Sequence, residues 1–252
     1  MKTANMLMLM AVLCFSACKK NGINEPEKIS GNCKIVSIKE DNDPASTYSY
    51  DASGKISKVT NLYGYGNGIF TYQTDKVNFT DAKGTENQSF NIDASGRITL
   101  DKFDTYKYNS DGYLIEKAYR PNPTTSNFIL SYTNGNLTKV IIDGFETVNI
   151  TYYDAEAVQN LLGYENALHS SLIFNESTYS NFNIAFLGKG SKNLVKSITK
   201  QRTISGITQN FNDTYVYKKD TDGKIVSLEI KRQASGGYFN GVNTVNFTYQ
   251  CQ

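Results

Sequence analysis

The sequence has one histidine, no tryptophan, four prolines and four cysteines, and its 26 basic residues nearly match its 24 acidic ones. Each scarcity removes a class of function. With His169 alone, no multi-histidine metal site can form, and any histidine-based triad would have to use that one residue. No phosphate-binding loop, Gly-x-Ser-x-Gly elbow or cysteine cluster occurs. Lys2 is the one charged residue of Met1–Ala17, so the remainder carries 25 basic and 24 acidic side chains. A balance that close gives no electrostatic basis for binding nucleic acid or an anionic membrane surface. Carboxylates are plentiful but sit in turn-like clusters such as Asp41–Asp43 and Asp220–Gly223. Such clusters supply turn chemistry before they supply the regularly spaced oxygen ligands of a calcium loop. We therefore expect no metal, no cofactor and no catalytic residues, although two suitably placed carboxylates would suffice for a glycosidase.

Long apolar runs are also missing, apart from Met6–Phe15 at the start. That run is shorter than the roughly 20 residues needed to span a bilayer. Preceded by Lys2 and followed by Ser16, Ala17 and Cys18, it reads as an export signal over residues 1–17. Ser16-Ala17-Cys18 resembles the lipobox of bacterial lipoproteins, with Phe15 where leucine is usual. That resemblance implies acylation of Cys18 and attachment to the outer membrane by lipid, on its periplasmic or cell-surface side. Residues 18–30, Cys18 onward through Lys19-Lys20-Asn21-Gly22, are polar and without periodicity and read as a flexible tether. Residues 31–252 form the expected single domain.

Cys14 leaves with the signal and Cys18 is taken by lipid, so Cys33 and Cys251 remain, one near each end of the domain. In an exported protein they either pair, tying the first strand to the last, or stay as two separated thiols.

What the sequence has in quantity is tyrosine (18) and phenylalanine (13), set among threonine, valine and isoleucine, residues that suit a half-buried pleated surface. They recur in a pattern. Tyr48-Ser-Tyr50-Asp-Ala-Ser-Gly54-Lys-Ile56, Phe90-Asn-Ile92-Asp-Ala-Ser-Gly96-Arg-Ile98 and Tyr106-Lys-Tyr108-Asn-Ser-Asp-Gly112-Tyr-Leu114 are three copies. Looser copies run from Leu130 to Leu137 and from Tyr215 to Ile225. Aromatic or aliphatic residues two apart share one face of a strand. The Asx/Ser cluster ending in glycine makes a tight turn, and the Ile or Leu two positions later begins the return strand on the same face. Further strand-like runs lie at Ile69–Tyr72, Lys76–Phe79, Thr147–Tyr153, Ser171–Phe174, Leu194–Ile204 and Val245–Tyr249. The expected fold is all-β: an antiparallel up-and-down meander of a dozen or more strands, strongly curled or closed into a barrel. One short helix is expected over Asp154–Ala167, where Val158, Leu161 and Leu162 follow a helical stripe, covering a mouth or edge of the sheet. His169 would then be a charge beyond the helix end or a surface residue.

The Tyr48–Ile56 pattern resembles the YD repeat of Rhs and teneurin proteins, which form β-shells. Signal, tether and hairpin domain together resemble a group of uncharacterised bacteroidete lipoproteins described as porin-like. That resemblance implies an envelope location and brings no activity or catalytic residue. A barrel lodged in the membrane itself is not expected, because charges such as Lys58, Lys139 and Lys196 interrupt strands shorter than such barrels use.

Two glycine-rich stretches carry aromatics where core packing is not required: Tyr63 and Tyr65 within Asn61–Gly68, and Tyr238 and Phe239 within Ser235–Gly241. Rings flanked by asparagine make a workable sugar platform, the ring face meeting C–H groups and the amides meeting hydroxyls. The same rings would equally well fold over a barrel end. Tyr48, Tyr50, Tyr106 and Tyr108 are expected to pack, with hydroxyls reaching water. The expected role is an envelope binding module, for glycans first; a structural or protein-interaction lipoprotein comes next and a hydrolase last.

Overall fold

In a computed structural model, the described residues are 33–62, 66–84, 87–121, 127–173, 186–204, 206–235 and 240–251. Sixteen strands follow one another along the chain. They are β1 (Lys34–Glu40), β2 (Ser46–Tyr50), β3 (Ile56–Leu62), β4 (Gly66–Tyr72), β5 (Lys76–Asp81), β6 (Asn87–Ile92), β7 (Ile98–Leu100) and β8 (Asp104–Tyr108). The second half comprises β9 (Leu114–Tyr119), β10 (Asn127–Thr133), β11 (Asn136–Ile142), β12 (Glu146–Ala157), β13 (Asn193–Ile204), β14 (Ile207–Lys219), β15 (Ile225–Ala234) and β16 (Gly241–Gln250). Each pairs antiparallel with its neighbour in sequence, and β1 pairs with β16, so the sheet is a closed up-and-down barrel with no free edge. Closure removes the unpaired edge that a long open sheet would expose. Cys33 and Cys251 are joined by a disulfide at the seam, beside the Lys34–Gln250 pair. The barrel is thus complete between Cys33 and Cys251 and needs no other segment to satisfy a strand.

The repeated motif builds one rim of the barrel. Gly54, Gly96, Gly112, Gly135 and Gly223 all adopt positive φ, between 76° and 88°, which is why glycine stands there. In four of these turns an Asx oxygen accepts the backbone N–H two and four residues on, or their equivalents: Asp93 from Ser95 and Arg97, Asn109 from Asp111 and Tyr113, Asp220 from Asp222 and Lys224, and Asp51 from the Ser53 hydroxyl and Lys55. The tyrosines explain the rest of the repeat. Several ladders slip by one residue near this rim, as at Ser49/Tyr50 and Lys107/Tyr108. The inward tyrosine of one strand donates its hydroxyl to a carbonyl on the strand before: Tyr50 to Ile35 (2.5 Å), Tyr72 to Ile56 (2.8 Å), Tyr108 to Ile98 (2.8 Å), Tyr152 to Leu137 (2.7 Å) and Tyr249 to Ile225 (2.6 Å). The basic residue preceding three of these acceptors lies over the same ring, Lys34 on Tyr50, Lys55 on Tyr72 and Arg97 on Tyr108, at 4.7–5.0 Å from the ring centre. The Gly-Lys/Arg-Ile sequence is therefore a clasp that holds the next hairpin's tyrosine from above and behind. Burial pushes Tyr50, Tyr72 and Tyr249 up to about 12, which keeps their hydroxyls protonated as donors. Of Tyr48, Tyr50, Tyr106 and Tyr108, whose hydroxyls were expected to reach water, three are corrected: those of Tyr50 and Tyr108 donate to backbone, and Tyr106 donates to the Asp101 carboxylate at 2.8 Å.

Alternation along the strands puts the apolar set inside. Val59, Val77, Phe79, Phe90, Ile98, Leu114, Leu137, Val140, Val148, Ile198, Leu228 and Val245 are at most 1% exposed and come from strands all round the barrel. The outward positions carry threonine, asparagine, serine, glutamine and charge, as in Thr208, Asn210, Asn212 and Thr214 on β14 and Ser227, Glu229, Lys231 and Gln233 on β15. A barrel of sixteen strands is too wide for wall side chains alone to fill. The remaining space is taken up by the chain itself.

The filling comes from the connection between β12 and β13. It enters at the rim of Asx-Gly turns, where the Gln159 side chain bonds the Gly223 carbonyl and the Ile225 N–H. It then runs up the lumen, burying Leu161, Ala167, Leu168, Leu172 and Ile173, and reaches β15 where Ser171 Oγ meets Arg232 at 2.8 Å. Its return leg leaves past Phe186, which packs on Tyr72, and past Gly188. Gly188 has φ 78° and a Cβ there would lie 2.6 Å from the Gly112 carbonyl, so only glycine fits. The helix expected over Asp154–Ala167 does not form. Asp154–Ala157 extend β12 along β13, Leu162 and Gly163 take φ of 55° and 101°, and one 3-10 turn, Ala167–His169, is present. The Glu165 carboxylate accepts the N–H groups of Leu161 and Gly163, holding the turns that replace it. Ser171–Ile173, expected as strand, is also turn within this filling segment, and Phe174 lies outside the described residues.

Candidate functional site

The lumen is filled unevenly. Between the filling segment and the wall of β2 to β6 a cavity of about 490 Å³ remains, lined from the wall by Tyr48, Val59, Phe70, Val77 and Ile92 and from the segment by residues including Tyr164, Glu165 and His169. Such a volume, mostly apolar with a few polar groups converging on it, is the usual form of a small-molecule site. The cavity extends to the rim of Asx-Gly turns, where Gly54, Gly96, Gly188 and Gly190 border it without side chains.

His169 is not the charged or surface residue expected from the sequence. It lies part-buried in the lumen with its ring against Tyr164, centroids 3.9 Å apart, and desolvation holds it uncharged, its pKa lowered to about 4. Its Nε2 has no hydrogen-bond partner among the described residues. Tyr164 in turn packs on Phe247 and donates its hydroxyl to the Glu40 carboxylate at the far end of β1. Glu165 lies part-buried beside them, and desolvation raises it to about 7 against the N–H groups that favour its ionised form.

Near the rim opposite the Asx-Gly turns, charges enter the lumen in pairs. Lys200 meets Glu146 at 2.7 Å, and Arg232 grips Asp213 through two bonds of 2.8 and 2.7 Å, with Asp213 1% exposed. Among the described residues no group of three or more histidine, cysteine or acidic side chains gathers as a metal site would require.

Of the residues singled out in the sequence, Tyr63, Tyr65, Tyr238 and Phe239 lie outside the described residues, as do Cys18 and the whole of residues 1–32. The strands that flank the four aromatics are described. The ends of β3, β4, β15 and β16 next to them lie at the rim opposite the Asx-Gly turns, and three interstrand steps, about 14 Å at the usual spacing, separate β3 from β16. The lumenal cavity and His169's place in it were not expected. The one sequence signal for them was the length of the interval from Tyr153 to Leu194, long for a connection even with the short Ser171–Phe174 run inside it.

No protein-family model and no curated protein matches the sequence. Among solved structures, the chain is similar to a porin-like protein from Bacteroides uniformis, at 19% identity and TM-score 0.57, over 86% of this chain and 98% of that one. A porin-like protein from Bacteroides vulgatus is similar at 15% identity and TM-score 0.52, with the same coverage. At such identities the likeness is one of fold.

Proposed function

We propose that this chain is a lipid-tethered binding module of the outer membrane, with a barrel that stands in water and a glycan as its ligand. One observation carries the reading: the polarity of the barrel is the reverse of a pore's. A membrane-spanning barrel turns an apolar band about 25 Å tall outward and keeps a polar interior. Here the inward positions are mostly apolar and the outward face carries Lys58, Lys107, Lys139, Glu229 and Lys231 on four different strands. A lysine on the lipid side costs about 2–4 kcal/mol at mid-membrane, so several of them weigh heavily against insertion. The exposed large apolar residues, Ile69, Ile129, Phe145, Ile207, Val216 and Val242, are scattered over strands and turns and form no band. Passage through the barrel is likewise unsupported, since the β12–β13 connection occupies the lumen. A barrel of this kind needs an external tether to stay at a membrane, and Cys18 with its polar tether supplies one.

The glycan reading rests on the aromatic, asparagine- and glycine-rich composition of Asn61–Gly68 and Ser235–Gly241, and is supported by the flanking strands β3, β4, β15 and β16 meeting the same rim. The test is retention of the tether-plus-barrel chain, Lys19 to Gln252, on a panel of host, dietary and bacterial polysaccharides. Selective retention is expected, falling at least tenfold with Tyr65→Ala or Tyr238→Ala. Absence of retention on every polysaccharide would sink the sugar reading and leave an envelope protein as the partner.

A further inference from the structure

We propose that the lumenal cavity is a second ligand site, separate from the glycan rim, for a small organic amine whose ammonium group pairs with the carboxylate of Glu165. The apolar part of the amine lies against Val59, Phe70, Val77 and Ile92, the wall that β3 to β6 present to the cavity. Taking that part out of water favours binding in proportion to its area.

Glu165 sets the charge of the ligand. A carboxylate drawn out of water is costly unless a cation stands beside it. Glu165 lines the cavity, is part-buried and forms no salt bridge among the described residues. The N–H groups of Leu161 and Gly163 both come to Oε2, so Oε1 accepts from no other described residue. Those two bonds also fix where the carboxylate sits. Desolvation, with no cation to offset it, raises the group to about 7. An ammonium at Oε1 brings the missing charge and a charge-assisted hydrogen bond together.

No other group on the lining fills that role. Glu40 is engaged by the Tyr164 hydroxyl and the Asn243 amide, and as a second carboxylate it adds to the negative potential. Lys55 lies over the Tyr72 ring and is exposed at the mouth, where water and salt screen its charge. His169 is uncharged, and its Nε2 is sealed from the cavity. Three exposed residues, Lys55, Gly96 and Asn160, belong to the lining, so the cavity meets water between the β2–β3 and β6–β7 turns and the filling segment. Tyr50, Tyr72 and Phe186 stand at the same mouth. Two of these rings already hold a cation, Lys34 over Tyr50 and Lys55 over Tyr72, so the aromatic mouth accepts an ammonium.

The experiment titrates the Lys19–Gln252 chain, whose barrel closes on itself, with 2-phenylethylamine in a calorimeter. Two controls of the same shape, 2-phenylethanol and 3-phenylpropanoate, are neutral and anionic. Saturable binding of one equivalent of the amine is expected, with the alcohol and the carboxylate at least tenfold weaker. Glu165→Gln keeps an oxygen for the N–H groups of Leu161 and Gly163, so it should hold the melting temperature while bringing the amine down to the affinity of the alcohol. Ile92→Phe, which fills the chamber from the wall, is expected to abolish amine binding, and Lys55→Ala to leave it unchanged or tighten it. Lack of saturable amine binding by the unmodified chain would overturn the proposal. So would alcohol or carboxylate binding as tight as the amine's, or a Glu165→Gln variant that still prefers the amine. Polysaccharide retention by the same variants should stay intact, which keeps this site distinct from the rim.

Discussion

Replacing both Cys33 and Cys251 with serine is expected to lower the unfolding free energy by about 5 kcal/mol, taking the chain-entropy value for a loop this long. The bond joins residues 218 apart, so without it the unfolded chain regains nearly all the freedom that closing a barrel removes. The β1–β16 ladder must then close the ring alone. It runs from Lys34–Gln250 to Glu40–Val245 with a slip between Ile35 and Ser37, and the slip lies beside the seam. Urea unfolding of both proteins, extrapolated to water, measures the difference. A loss below about 1 kcal/mol would mean that the ladder fixes closure by itself or that the denatured chain stays compact.

Arg232→Ala is expected to cost about 3–5 kcal/mol, since it strands a buried carboxylate. Asp213 is 1% exposed and Arg232 binds both of its oxygens. The same guanidinium holds Ser171 of the filling segment, so the substitution also unties that segment from the wall at its upper end. The paired change Asp213→Asn with Arg232→Met removes the charge along with its partner and should recover most of the loss. Chemical denaturation of the single and paired variants gives the comparison. A single variant as stable as the parent, or a pair as damaged as the single, would show that the ion pair does not anchor the lumen.

The wall of the barrel was legible in the sequence because its turns are chemically explicit. Glycines at positive φ, Asx oxygens on the following N–H groups and a period-2 apolar face all appear in Tyr48–Ile56 and its copies, and each does in three dimensions what its residue type favours. The role of the second tyrosine was not legible, because its partner is a carbonyl on the preceding strand, revealed only once the ladders are in register. The β12–β13 connection misled for a related reason. Val158, Leu161 and Leu162 have helical spacing, but a wide barrel's lumen offers apolar wall on more than one side, so Leu161 is buried and Val158 and Leu162 pack partly against the core without forming a helix. Once Leu162 and Gly163 turn left-handed, Glu165 and Asn166 take over as local caps for the N–H groups of Leu161, Gly163 and Leu168. His169 followed the same error: placed beyond a helix it would be a surface charge, whereas at the end of a buried 3-10 turn it becomes a neutral ring facing a cavity.

The likeness to porin-like structures is one of fold. Sixteen strands closed in sequence order suit a pore when the lumen is polar and open. With valine, leucine and phenylalanine inside and threonine, asparagine and lysine outside, the same connectivity supports the proposed barrel standing in water.

The proposal of a barrel that stands in water is tested most directly by phase partition of the Lys19–Gln252 chain, which lacks Cys18, between water and a detergent phase without prior detergent. The expected result is a monodisperse protein that stays in the aqueous phase, leaves lipid vesicles unbound and carries no current across a planar bilayer. Recovery in the detergent phase, or discrete conductance steps, would contradict it and return the barrel to the membrane.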